Sequence, residues 1–198
     1  MTRIRTLLAA SDLSAPARHA TERAAWLAKD LRSRLELVHV VSQGLLTELR
    51  GLLDPAAQAI EQRLLDQLRV ELSQLAGDLA QHRGIEAGVH LATGPVLQEI
   101  LSRAEAVDAD LLVLGARGSG FMRHLLLGST AERALRKTTR PLLVVKQAPH
   151  ERYRRVLVPV DFSNWSLPAL RLAQAVAPRG VVVPSMPSMC PSRASCAP

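Results

Sequence analysis

Ala109-Asp110-Leu111-Leu112-Val113-Leu114-Gly115-Ala116-Arg117-Gly118-Ser119-Gly120 runs from an apolar tetrad straight into a cluster of glycines. A short apolar run of this kind suits a strand buried on both faces, with a loop behind it. Downstream, Gly128-Ser129-Thr130 opens a helical stretch to about Lys137, and Leu142–Val145 makes the next buried strand. Upstream the same alternation holds. Thr6–Ala10 is a strand with a turn-like Ser11-Asp12-Leu13-Ser14 behind it. Ala17, Ala20, Ala24, Leu27, Ala28 and Leu31 recur at helical steps. Leu35–Val41 is a second strand, and a loop with Gly44, Gly51 and Pro55 follows. Ile60, Leu64, Leu68, Leu72, Leu75 and Leu79 line a long amphipathic helix that ends near Gly84. Ile85, Ala87, Val89 and Leu91 alternate as a third strand. Gly94-Pro95 opens a helix whose buried face uses Val96, Ile100, Leu101 and Ala104. With Leu111–Leu114 fourth and Leu142–Val145 fifth, the pattern predicts an α/β fold. Its parallel sheet is covered by helices on both faces. Ligands of such sheets sit at the carboxyl ends of strands, where the strand order reverses. That directs attention to Ser11–Ser14, Val40–Ser42 and Gly115–Gly120.

Composition narrows the function classes. The 198 residues allow one ordinary domain, or one domain and part of another. Hydrophobic residues at 47% are enough for a core, while aromatics at 3% leave little surface on which to stack single-stranded nucleic acid. The net charge of +7 comes from 25 Lys and Arg against 18 Asp and Glu, scattered without a basic block. It reads as a solvated Arg-rich surface, and a nucleic-acid partner is not expected. No run approaches the roughly 18 apolar residues of a membrane span. Met1-Thr2-Arg3-Ile4-Arg5 leads into a strand pattern with no secretory apolar core. Cys190 and Cys196 both fall in the last stretch of the chain, so no disulfide framework is present. A cytoplasmic location is expected.

The chemistry concentrates in two glycine clusters. Gly115, Gly118 and Gly120 follow a buried strand, and Gly128-Ser129-Thr130 precedes a helix. Glycines let backbone amides reach phosphate oxygens with no Cβ in the way. A helix starting at Ser129 or Thr130 aims free N–H groups and its positive dipole end at the same anion. Arg117 adds a cation. The competing reading is a flexible turn with Ser129 as an N-cap; two glycine clusters around one strand–loop–helix unit favour the anion site. The spacing is not that of a P-loop, because no Gly-Lys-Ser/Thr follows, nor of the dinucleotide fingerprint, because the third glycine is missing and the unit lies at the fourth strand.

Gly115-x2-Gly118-x9-Gly128-Ser129, set between Ala109–Leu114 and Arg140–Val145, resembles the motif of the universal stress protein family. Asp12 after the first strand and Leu37-Val38-His39-Val40 in the second support the likeness, which covers residues 3–147. It implies a five-stranded, Rossmann-like parallel sheet of strand order 3-2-1-4-5. It also implies ATP binding with Mg²⁺ or Mn²⁺, and a homodimer paired through the edge of the fifth strand. Carried over by position, Asp12 and Val40 face the adenine above a floor of Ala10 and Ser11. Gly115, Arg117 and Gly118 line the ribose and phosphates, and Gly128, Ser129 and Thr130 hold the phosphate tail. Ala10 departs from the proline of many members.

Asp12 also reads as a capping residue ahead of Ser14 and Pro16, and the two roles can coexist. His39, inside a buried strand, reads as a hydrogen-bonded core or pocket-wall residue rather than a catalytic base. The histidines and cysteines have no spacing that suggests a metal site, and no nucleophile–base–acid set is legible. Together with the resemblance, this implies a nucleotide-dependent regulatory module for the stress response, with slow ATP hydrolysis at most. The alternative is a scaffold of the same fold that binds no nucleotide and serves dimerisation or partner docking.

An internal echo starts at Arg154. Arg5–Ser14 aligns with Arg154–Ser163, with Asp12 on Asp161 and Ser14 on Ser163. Residues 150–183 therefore read as the first strand and helix of a second, similar domain of a truncated or frame-disrupted tandem protein. Residues 184–198 are rich in Pro and Ser, and disorder is expected there.

Overall fold

The computed structural model describes residues 3–52, 57–116 and 127–186. It divides into a larger unit, Ile4–His150, and a smaller one that takes in Arg3 and the chain from Glu151 onward.

In the larger unit, β1 (Thr6–Ala10), β2 (Arg34–Ser42), β3 (Ala87–Gly94), β4 (Leu111–Gly115) and β5 (Leu142–Val145) form one parallel sheet in the order β3-β2-β1-β4-β5. Between the strands run α1 (Ala15–Leu31), α2 (Gln43–Leu52), α3 (Ala57–Arg83), α4 (Val96–Ala106) and α5 (Ser129–Lys137). This is the α/β architecture expected, with helices on both faces. β1 lies centrally because its residues can be buried on either face: Leu7, Leu8 and Ala9 are wholly inaccessible. Alanines at 17, 20, 24 and 28 of α1 are buried as well, and their small size lets the helix lie close to the sheet. On the face covered by α4, Ile100 and Ala104 pack against Leu8, Val38, Ala109 and Leu112. Asp110 joins the two central strands at their amino ends, its Oδ2 accepting from the amides of Arg5 at 2.7 Å and Thr6 at 3.0 Å. The strand order reverses between β1 and β4, so the crevice of the fold opens at their carboxyl ends.

Two expectations fail locally. The loop drawn around Gly44 contains the helix α2. Ser42 Oγ accepts from the Leu45 amide at 3.3 Å, and Leu46 is buried; an N-cap and one apolar anchor outweigh the cost of a glycine in the first turn. The third strand begins at Ala87 rather than Ile85.

The smaller unit contains β6 (Arg155–Pro159), α6 (Ser166–Val176) and β7 (Val181–Ser185), with the two strands paired in parallel. β7 runs through Pro184, where disorder was expected to begin. The Val181 amide donates to Arg154 O, and Ser185 O accepts from the Val160 amide. Peptide groups alternate sides along a strand, so Pro184 turns its missing N–H away from β6, to the unpaired side of β7, where a proline removes no bond. Residues 187–198, the rest of that stretch, lie outside the described residues. No helix among the described residues is long and apolar enough to cross a membrane.

Candidate functional site

Past Ala10, the chain leaves the sheet through a tightly bonded turn. The Ser11 amide donates to Val38 O at 3.0 Å, extending the β1–β2 ladder by one residue. Ser11 Oγ accepts from the Leu13 amide at 3.1 Å, and Leu13 adopts φ 63°, an uncommon left-handed conformation for a leucine. Asp12 Oδ1 accepts from the Ser14 amide at 3.1 Å and from Ser14 Oγ at 2.5 Å, and Ser14 Oγ in turn caps α1 by accepting from the Ala17 amide. Asp12 is thus a structural member of the turn and also exposed at the crevice, as its two sequence readings allowed. Ser11 is buried, and the half-buried Ala10, Val40 and Leu142 pack against the core that holds Leu8, Val38 and Leu112. Val38 O points toward β1, so by alternation the peptide groups of Val40 point the same way, just beyond the end of β1.

The second half of the crevice comes from β4 and α5. Gly115 pairs with Val145, and the amide of the buried Ala116 donates to Val145 O at 2.8 Å. The Gly128 amide then donates back to Ala116 O at 2.8 Å. That bond sets the start of α5 beside the end of β4. Gly128 is the N-cap of α5, in extended conformation, with no side chain capping the helix. This differs from α1, whose first turn is bonded by Ser14. Among the described residues, no side chain bonds the leading amides of α5. Ser129 is exposed and Thr130 half-buried. Glu132, in the same first turn, is bonded by Arg136 at 2.8 Å. Arg117 and Gly118 lie outside the described residues. Ala10, Ser11, Asp12, Val40, Gly115, Gly128, Ser129 and Thr130 all fall at the carboxyl ends of β1, β2 and β4 or at the start of α5.

The family model for the universal stress proteins ("Universal stress protein family") matches residues 3–146. The chain belongs to that family. Universal stress protein YxiE of Bacillus subtilis is 28% identical over 145 residues, covering 69% of this chain and 93% of the relative. Among solved structures, universal stress protein UspA from Lactobacillus plantarum superposes with a TM-score of 0.62 at 21% identity. That match covers 74% of this chain and all (100%) of the other. A universal stress protein in complex with cAMP gives a TM-score of 0.54 at 21% identity, covering 73% of this chain and 98% of the other. These likenesses establish the universal stress fold for the larger unit.

Two site residues were not singled out by the motif. Ala116 sets the start of α5 through its carbonyl, a role that any residue could fill and that no side chain announces. His39 on β2 is buried, and its Nδ1 lies 2.7 Å from Ser11 O. Its place in a buried strand hinted at a bonded role, but nothing in sequence named the acceptor.

The turn recurs in the smaller unit. Asp161 Oδ1 accepts from the Ser163 amide at 2.9 Å and from Ser166 Oγ at 2.8 Å, and Phe162 has φ 60°. The Ser163 hydroxyl first, then the Ser163 amide and the Ser166 hydroxyl, hold the Asp161 carboxyl down to about 2.

Proposed function

We propose that the larger unit binds ATP with Mg²⁺ or Mn²⁺ across the crevice between β1 and β4, as a nucleotide-dependent regulatory module with at most slow hydrolysis. The observation that carries this reading is the amino end of α5, which no side chain among the described residues caps and which the bond from Gly128 to Ala116 fixes beside the end of β4. An anion placed there meets the leading N–H groups and the positive end of the helix. Gly115, Arg117 and Gly118 are assigned to the ribose and phosphates, and Gly128, Ser129 and Thr130 to the phosphate tail. Asp12 and the Val40 peptide take the adenine, over Ala10 and Ser11. Among the described residues no three His, Cys, Asp or Glu side chains gather as a metal site. A magnesium-like ion at this site would be held chiefly by phosphate oxygens and water, with a Ser129 or Thr130 hydroxyl as its protein ligand. The nucleotide complex formed by a structural relative is in keeping with this assignment.

The same reading includes a cytoplasmic homodimer paired through β5, whose half-buried Leu142, Leu143 and Val144 lie on a sheet edge. It takes residues from 150 onward as the beginning of a second tandem domain.

Gly128→Asp tests the site. Aspartate is a good N-cap, so the unliganded variant should melt within a few degrees of the parent or slightly above it. Its carboxylate would occupy and repel the phosphate position. The parent should gain several degrees in Tm with millimolar Mg²⁺–ATP, and the variant almost none. An equal gain in both would remove the phosphate site from α5, and no gain in either would favour the scaffold without nucleotide.

A further inference from the structure

We propose that His39 is a positioning residue of the candidate nucleotide site, holding the Ser11–Asp12 peptide in the orientation that the ligand meets. The inference rests on the nucleotide reading above and deepens it. A carbonyl oxygen can only accept, so the contact between His39 Nδ1 and Ser11 O makes Nδ1 the protonated nitrogen. Ser11 is thereby tied to β2 on both sides of its Cα: its amide bonds Val38 O, and its carbonyl bonds the side chain of the next residue, His39. The backbone ladder ends at Ala10, and the imidazole serves as one further rung beyond it. Both partners are buried, with His39 8% and Ser11 6% exposed, so water cannot readily replace the donor. The peptide held in this way carries the Asp12 amide and sets where the Asp12 side chain begins.

The smaller unit supplies a natural control. There the Val160 amide bonds Ser185 O, as the Ser11 amide bonds Val38 O. The residue after Ser185 is Met186, whose side chain has no N–H or O–H to offer and which is 67% exposed. The aspartate turn forms in both places. Among the described residues, only the first has a side-chain donor from the neighbouring strand on the carbonyl before its aspartate.

The test compares the parent with His39→Leu, His39→Asn and His39→Gln. The asparagine amide reaches the place of Nδ1, whereas glutamine carries its donor one bond further out. Two readouts are taken: amide hydrogen exchange of Leu13 and Ser14 without nucleotide, and Mg²⁺–ATP affinity by calorimetry. His39→Leu and His39→Gln should speed exchange at Leu13 and Ser14 severalfold, leave the amides of β4 protected, and weaken ATP by about tenfold. His39→Asn should restore both. If His39→Leu does not fold, the asparagine–glutamine pair decides alone. Parent-like exchange at Leu13 and Ser14 in His39→Gln, or failure of asparagine to restore both readouts, overturns the proposal. If the parent itself binds no ATP, the nucleotide reading falls with the site role, while the exchange results still report whether His39 holds the turn.

Discussion

The turn at Asp12 and the turn at Asp161 are made of the same parts and differ in their surroundings. Each has a strand, an aspartate accepting from the amide two residues on, and a left-handed residue between them. Around the first, Leu7, Leu8 and Ala9 are fully buried in a five-stranded sheet. Around the second, Leu157 is 68% exposed, and Phe162, Trp165, Leu167, Val181 and Val183 are exposed too. The turn is a local object, specified by Asp and Ser at short range. Burial is not local. It requires the strands and helices that follow α1 in the larger unit, which α6 and β7 do not replace.

The largest expected difference between the two regions is in core energetics. Leu8 and Leu157 occupy the same place in the aligned repeats. Leu8→Ala should cost about 2–5 kcal/mol, as for a fully buried leucine, and Leu157→Ala less than about 0.5 kcal/mol. Urea unfolding followed by Trp26 fluorescence in a Trp165→Phe background reads the first. The reverse background, Trp26→Phe with Trp165 as reporter, reads the second. A comparable loss at Leu157 would mean that the open face is covered in solution. Next in size is ligand binding. Asp12→Ala should weaken ATP by about tenfold, whereas Asp161→Ala should leave affinity unchanged; equal effects would place nucleotide at both turns. The smallest effect is protonation. Asp161 has its carboxyl held at about 2, below the ordinary carboxylate value. A depressed folded value means that the stabilisation is complete above about pH 4 and is lost as pH falls toward 2. A carboxyl-detected NMR titration should find that midpoint near 2, and Ser163→Ala should move it up toward the ordinary range.

The fold of the larger unit was legible because its strands carry apolar residues on both faces, as in Leu111–Leu114, and its helices keep a strict spacing, as in α1. Around Gly44, glycine and proline read as punctuation in the sequence, whereas Ser42 supplies a cap and Leu46 an anchor for a helix. Pro184 reads as a break for a related reason. Its cost depends on which side of the strand faces a partner, and that side is a property of register. The glycine clusters stood out by residue type and spacing, and the structure sets Gly115 at the end of β4 and Gly128 at the start of α5. The part of His39 did not, since the pairing that brings it to Ser11 joins strands far apart in the chain.

Register has one more consequence for the strand pair of the smaller unit. Val160 and Ser185 bond each other, so Pro159 on β6 and Pro184 on β7 both direct their ring nitrogens outward, one on each free margin. A bare apolar ribbon is an invitation to fibril growth, because each margin is a template for the next strand. Here both margins carry a residue that cannot donate, so the ribbon can show greasy side chains on its face while resisting elongation at its rims.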